Sequence, residues 1–284
     1  MNSYKPMEDS MDVKSDEIML KANDGLQLMV SKSAVKKPEA VIVIVHGICE
    51  HSGRYTHVVS RFNSWGYSVY RYDLRGHGRS QGDRAYVEDY QLFIDDTDLV
   101  VDMAKKENAG IPLFLVGHSM GGLISAIYGI QHPDNLTGQV LSGPPVMILP
   151  AVQGILSLDY KAKARTPIPN SLTNAISRNK DVIDAYNSDP LVLKEFSMML
   201  MGEMFIRAGQ WIVANRKKYN YPCLILHGGA DQISPPEASR AFYENIASKD
   251  KELKIYEGLY HEILNEPEKE TVLEDIHRWL EAHL

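Results

Sequence analysis

Apolar residues fall along this chain in two alternating rhythms. Short runs at 40–45, 67–72, 113–116, 139–142, 223–226 and 253–256 are rich in β-branched or aromatic residues, the pattern of strands buried on both faces. Between them, 55–65, 89–106, 120–131, 236–247 and 268–282 carry apolar residues at spacings near three and four, as amphipathic helices do. In the last of these, Val272, Leu273, Ile276, Trp279 and Leu280 would share one face. Residues 17–31 alternate and are broken by the turn signal Asn23-Asp24-Gly25, which predicts two antiparallel strands at a sheet edge. Strands alternating with helices imply an α/β fold, a mainly parallel sheet with helices on both sides joined by right-handed crossovers.

The rhythm breaks over 147–218, a stretch far longer than a crossover needs. The expected organisation is therefore a core formed by 1–146 and 219–284, with a helical cap inserted at 147–218 over the active end of the sheet. The cap carries Val146-Met147-Ile148-Leu149 at its border, then Ile155-Leu156, Met198-Met199-Leu200-Met201 and Met204-Phe205-Ile206. This methionine-rich set reads first as packing of cap on body and, for some of the same side chains, as the lining of a channel or an exposed lip for acyl chains.

Composition narrows the class. With 284 residues, 44% hydrophobic and 24% charged, the chain is that of an ordinary globular protein. A net charge of -7 without clustered Lys and Arg excludes a nucleic-acid partner, because phosphate binding needs such clusters. The first twenty residues hold Glu8, Asp9, Asp12, Asp16 and Glu17 and no apolar stretch resembling a signal peptide. With only Cys49 and Cys223 to pair, the expectation is a reducing, cytoplasmic setting without a structural disulfide.

Candidate chemistry lies at the predicted strand ends. Gly117-His118-Ser119-Met120-Gly121 follows the apolar run at 112–116, which places Ser119 on a sharp strand-to-helix turn. A hydroxyl needs a base, and the base needs an orienting carboxylate. Asp231 follows the strand at 223–226 in His227-Gly228-Gly229-Ala230-Asp231, and His261 follows the strand at 253–256 in Glu257-Gly258-Leu259-Tyr260-His261. The order Ser, Asp, His is the one used by such sheets. His227 is set aside as too close to its strand, and His277 and His283 as residues of the terminal helix. The backbone amides of Met120 and of Ile48, in His46-Gly47-Ile48, are the expected oxyanion donors.

Other conspicuous residues receive structural roles. His46 and His118 are expected to hold loops through hydrogen bonds. Asp73, Arg75, His77 and Arg79 are read as a loop with internal ion pairs, since their spacing fits no zinc site. Cys49 is expected to be an inert packed thiol, and Lys161, Lys163 and Arg165 a solvated face.

These motifs together resemble the monoacylglycerol lipase and lysophospholipase-like branch of the α/β-hydrolases, also called serine aminopeptidase S33-like. The resemblance rests on residues 46–55, the Asp73–Ser80 loop, the 117–122 elbow and residues 253–261. It extends to the cap segments Ser177-Arg178-Asn179-Lys180 and Tyr186-Asn187-Ser188-Asp189-Pro190. It implies an α/β-hydrolase fold, a Ser119–His261–Asp231 triad, an oxyanion hole at Ile48 and Met120, and Glu50, Arg54 and Tyr186 near a glycerol-binding end. It implies hydrolysis of lipid-like monoesters, above all monoacylglycerols, through an acyl-enzyme without cofactor or metal. A peripheral membrane contact through the cap would suit a lipid substrate. Where some members carry a second histidine three residues after the catalytic one, this chain has Leu264, an apolar side chain suited to a different leaving alcohol. The alternatives are a broad carboxylesterase, a lysophospholipase or a hydroxycinnamoyl esterase and, more remotely, a non-catalytic ligand-binding protein of the same fold.

Overall fold

The computed structural model describes residues 15–284; the acidic residues Glu8, Asp9 and Asp12 lie outside the described part. Ten strands follow in chain order: β1 (Asp16–Lys21), β2 (Gln27–Ser33), β3 (Ala40–Val45), β4 (Tyr67–Tyr72), β5 (Leu113–His118), β6 (Gly138–Ser142), β7 (Pro167–Pro169), β8 (Glu195–Ser197), β9 (Cys223–Gly228) and β10 (Lys251–Tyr256). Eight of them form one sheet in the order β1-β2-β4-β3-β5-β6-β9-β10. β1 and β2 run antiparallel to their neighbours, as the Asn23-Asp24-Gly25 turn predicts, and the other pairings are parallel.

The period of two along each strand divides the core between the sheet's faces. On β3, Val41, Val43 and Val45 enter a cluster with Phe93, Val100, Leu123 and Ile127 from the helices Gln91–Glu107 and Met120–Gln131. Ala40, Ile42 and Ile44 meet Val58, Phe62, Val272, Ile276 and Trp279 from the helices Thr56–Ser64 and Lys269–Glu281 on the other face. β10 departs from the expectation of two buried faces. It ends the sheet, and its Glu252 and Lys254 are exposed, because an edge strand has a neighbour on only one side.

The stretch 147–218 adds no strand to the large sheet. It holds several short helices, and also a feature the helical reading omitted: β7 and β8 pair as an antiparallel ribbon with Ile168 opposite Phe196. Leu149, Val152 and Ile206 form a small apolar cluster of their own. Among the described residues no helix is long and apolar enough to cross a membrane.

Chain order places the functional loops. After β3 the chain crosses to β4 on one side and then to β5 on the other, so the loops leaving β3 and β5 diverge and open a crevice at the strands' carboxyl ends. Ile48 leaves β3 and Ser119 leaves β5 at this crevice.

Candidate active site

Ser119 has φ 54° and ψ -123°, a left-handed backbone that a residue with a Cβ enters only under strain. The turn is held by the Ser119 amide donating to the Ser142 carbonyl at 2.8 Å and by the start of the helix Met120–Gln131. The elbow needs its second glycine for closeness: a Cβ on Gly121 would stand 2.2 Å from the Val45 carbonyl oxygen. That contact presses the elbow against the end of β3 and so brings Ser119 beside Ile48. Both residues border the same cavity.

The loops after β9 and β10 deliver the other two residues together. Gly229 and Ala230 donate to the carbonyls of Tyr256 and Leu259, and a Cβ on Gly228 would lie 2.1 Å from the Tyr260 carbonyl oxygen. His261 Nδ1 lies 2.6 Å from Asp231 Oδ2, and its Nε2 lies 2.8 Å from Ser119 Oγ. The carboxylate can only accept, so Nδ1 carries the proton and Nε2 is free to accept from the serine hydroxyl. Asp231 Oδ1 accepts from the amides of Ile233 and Ser234 at 2.8 and 3.0 Å.

Charge placement suits this tautomer. Burial opposes ionisation of Asp231, but His261 and a hydrogen bond from His227 outweigh it and hold the carboxyl far below the usual carboxylate range. Burial pushes His261 down, yet the Asp231 charge outweighs it and leaves the imidazole above its ordinary 6.5. The neighbouring His118, its ring centroid 4.9 Å from that of His261, is pushed down to about 4 by burial and stays neutral.

His227, set aside on sequence grounds, is part of this arrangement. It is fully buried, and its Nε2 lies 2.8 Å from the Ser234 carbonyl oxygen and 3.0 Å from Asp231 Oδ2. Both atoms are acceptors, so Nε2 donates, and the same Asp231 Oδ2 accepts from His227 and from His261. The signal was present in the spacing of His227 and Asp231, four residues apart across a strand end.

Two pockets meet at Ser119. One is an apolar cavity of about 130 Å³, bordered by Leu149, Val152, Leu172, Met201, Phe205 and Ile233 among others. Three of these come from the methionine-rich set, so part of that set lines a cavity while Met204 and Leu200 pack into the main core. The other is a narrow polar pocket bordered by Glu50, His118, Tyr186, His261 and Glu262.

Glu50 and Tyr186, implied by the resemblance, thus border the same pocket as Ser119, whereas Arg54 stands one layer behind. Its guanidinium forks onto Glu262 at 2.6 and 2.7 Å, donates to Glu50 at 2.7 Å and stacks on the Tyr186 ring with 4.7 Å to the centroid. Glu262 gave no sequence signal, since its partner lies 208 residues away. Burial would raise its pKa, but Arg54 outweighs that and brings it down to about 2. Leu264, expected at the leaving-alcohol pocket, is instead 3% exposed and packs into the core with Val58, Val59 and Phe62. Its carbonyl accepts from His57 at 2.8 Å, and the position that follows His261 in the pocket wall is Glu262.

Replacing Arg54 by Met should therefore destabilise the fold by about 3–5 kcal/mol at neutral pH, because two buried carboxylates lose their shared cation. Denaturant melts at pH 7 measure this, and an unchanged midpoint would refute it. The sign with pH follows from the depressed Glu262. In the wild type its contribution is complete above the ordinary value of 4.5 and is lost as pH falls toward about 2. In Arg54→Met that contribution is missing across the neutral range.

The remaining residues take structural roles. His46 donates through Nδ1 to the Gly47 carbonyl at 2.7 Å and accepts at Nε2 from the Leu74 amide at 2.9 Å, bracing the loop that carries Ile48. Asp73 accepts from Ser52 and from the Arg79 amide, and Arg75 pairs with Asp96 and Asp24. Cys49 is fully buried and pushed up to about 12 by burial and by Glu50, which leaves an unreactive thiol. His277 stacks on Trp65 at 4.2 Å, far from the site in role. Lys161, Lys163 and Arg165 are exposed.

Comparison with known proteins agrees with this architecture. A monoacylglycerol lipase of Mycolicibacterium smegmatis is 37% identical over 251 residues, covering 87% of this chain and 90% of that one. The crystal structure of a Paleococcus ferrophilus monoacylglycerol lipase superposes with a TM-score of 0.81 at 32% identity, over 90% of this chain and 99% of that chain. A soluble variant of the Saccharomyces cerevisiae monoglyceride lipase, in complex with a substrate analogue, gives a TM-score of 0.85 at 26% identity over 99% and 98% of the two chains. The family model described as serine aminopeptidase, S33, matches residues 36–268. The chain belongs to that serine aminopeptidase S33 family of α/β-hydrolases.

Proposed function

We propose that the protein hydrolyses monoacylglycerols to fatty acid and glycerol, with Ser119 as nucleophile, His261 as general base and acid, and Asp231 as the group that orients it. The observation that carries this reading is the pair of unlike pockets meeting at one serine already hydrogen-bonded to an imidazole. His261 must protonate the departing alcohol, so the pocket it borders, with Glu50, Tyr186 and Glu262, is the alcohol side. The apolar cavity on the other side takes the acyl chain. Residues 147–218 serve as a cap, supplying Leu149, Val152, Met201 and Phe205 to that cavity.

The reaction runs in two steps. Ser119 Oγ attacks the ester carbonyl as its proton passes to His261 Nε2, and the oxyanion is held by the Ile48 and Met120 amides. The second of these opens a helix, whose dipole favours the negative charge. His261 returns the proton to the alcohol oxygen as the acyl–oxygen bond breaks. Water then attacks the acyl-enzyme, gives its proton to His261, and the fatty acid leaves as Ser119 regains a proton. The steps use no metal or cofactor.

The polar pocket favours a small neutral alcohol. Glu50 and Glu262 share the single cation of Arg54, leaving a net negative wall, and the free space is only about 10 Å³. Glycerol needs these side chains to yield, and a phosphate-bearing headgroup is repelled as well. The aminopeptidase chemistry in the family's description would need an ammonium-binding group on the acyl side, where this chain is apolar. The test is a substrate panel. Monoacylglycerols should be cleaved with kcat/KM at least about tenfold above lysophosphatidylcholine or lysophosphatidic acid of the same chain. Cleavage of short aryl esters with no turnover of any monoacylglycerol would overturn the proposal. Binding of anionic vesicles by the cap, measured by co-sedimentation, is the corresponding test of a peripheral membrane contact.

A further inference from the structure

A second cavity, of about 260 Å³, opens beside the β7–β8 ribbon, bordered by Asp83, Tyr86, Arg165, Pro167 and Leu193 among others. Phe196 borders this groove and the acyl cavity alike. We infer that the Phe196 side chain is the partition that closes the acyl cavity toward the outer groove and sets the longest acyl chain the enzyme accepts. The inference rests on the acyl-cavity reading above.

Size is the first reason. The acyl cavity, at about 130 Å³, is close to the ~150 Å³ of an apolar cavity that holds a benzene. A long acyl chain bound at Ser119 must therefore leave it. Placement is the second. Phe196 lies opposite Ile168 in the ribbon, is 8% exposed and packs within the main core. Beside it the groove offers the apolar surfaces of Tyr86, Pro167 and Leu193 among charged side chains that include Arg84, Lys194 and Glu195. Its rim carries the exposed Arg165–Asp83 ion pair at 2.7 Å, with Arg165 stacked on Tyr86.

The wall can be shortened without removing the strand that carries it. Both the amide and the hydroxyl of Ser197 donate to the Ala85 carbonyl, at 3.0 and 2.8 Å, so main-chain and Ser197 bonds anchor β8. Truncating Phe196 would then open the acyl cavity toward the groove that the same residue borders.

The experiment compares kcat/KM for monooctanoylglycerol, monolauroylglycerol and monopalmitoylglycerol in the full-length wild type, Phe196→Ala and Phe196→Leu. The palmitoyl-to-octanoyl ratio should rise about tenfold or more in Phe196→Ala and by less in Phe196→Leu. A ratio within about twofold of wild type in both variants would overturn the inference, because the chain would then leave past Leu149 and Val152 instead. Inactivation rates with octyl and hexadecyl fluorophosphonates give the same ratio from the nucleophile alone, so a variant with poor turnover is still read. Failure of the wild type on every monoacylglycerol, with normal fluorophosphonate labelling, would refute the proposed substrate. The inactivation ratio would still decide the role of Phe196.

Discussion

Ser119→Ala is expected to lower kcat by roughly a million-fold while leaving the protein folded. The size of the loss follows from the geometry: the hydroxyl 2.8 Å from His261 Nε2 is the atom that must bond to the acyl carbon, and among the described residues no second nucleophile borders both pockets. Among the residues shared by the two pockets, Ile48 and Leu172 have apolar side chains and offer no replacement. Residual catalysis would come from the oxyanion amides and from substrate binding, which survive the substitution. Fluorophosphonate labelling should vanish together with turnover. Stability gives an independent check on the same residue. Alanine keeps the Cβ and so keeps the strain of φ 54°, whereas Ser119→Gly should be equally inactive yet more stable by about 1 kcal/mol. Retained labelling in Ser119→Ala, or a turnover loss of less than about a hundredfold, would remove Ser119 from the mechanism.

Asp231→Asn should cost about 10⁴-fold in kcat, the second largest effect. The amide can place an N–H where Oδ2 now accepts from His261 Nδ1 at 2.6 Å, which favours the tautomer with its proton on Nε2, facing Ser119. In that form the imidazole cannot accept the serine proton. The pH profile carries the sign. Only neutral His261 acts as base, and in the wild type the Asp231 charge outweighs burial and keeps its pKa above 6.5. The acid limb of kcat/KM therefore lies above 6.5 and falls as pH drops through it. Neutralising Asp231 removes the raising influence and leaves the burial that lowers it, so the limb moves to lower pH. The groups that also face His261 are His118, Glu50 and Glu262, and they are unchanged by the substitution. A limb that stays in place, or a variant with more than about a tenth of wild-type kcat, would show that Asp231 does not orient this base.

How much of this site was readable in the chain differs residue by residue. Ser119, Asp231 and His261 were found because each stands just past an apolar strand and beside glycines, and a buried parallel strand announces both its end and the loop that follows. Gly121 and Gly228 have a physical reason the string alone could not state, since each lets one particular carbonyl approach. His227 is not the base, and its supporting contact is not legible in the chain, because only the turn between it and Asp231 directs its Nε2 onto the carboxylate. Glu262 and Phe196 carried no local signal, because their meaning depends on Arg54 in one case and on two cavities in the other.

By itself, then, the sequence determined the alternation of strands and helices, the interruption at 147–218, and the three strand-end residues of the candidate triad. These rest on hydrophobic periodicity and chain connectivity, which are local and additive along the chain. The tertiary structure alone decided that Arg54 stands behind the pocket rather than in it, that Leu264 is core, that Glu262 borders the polar pocket, and that a ribbon bearing Phe196 borders the apolar cavity. Those features arise from contacts between segments far apart in the chain, where side-chain shape and buried charge must be matched across loops. No pattern along one segment encodes which distant partner it will meet.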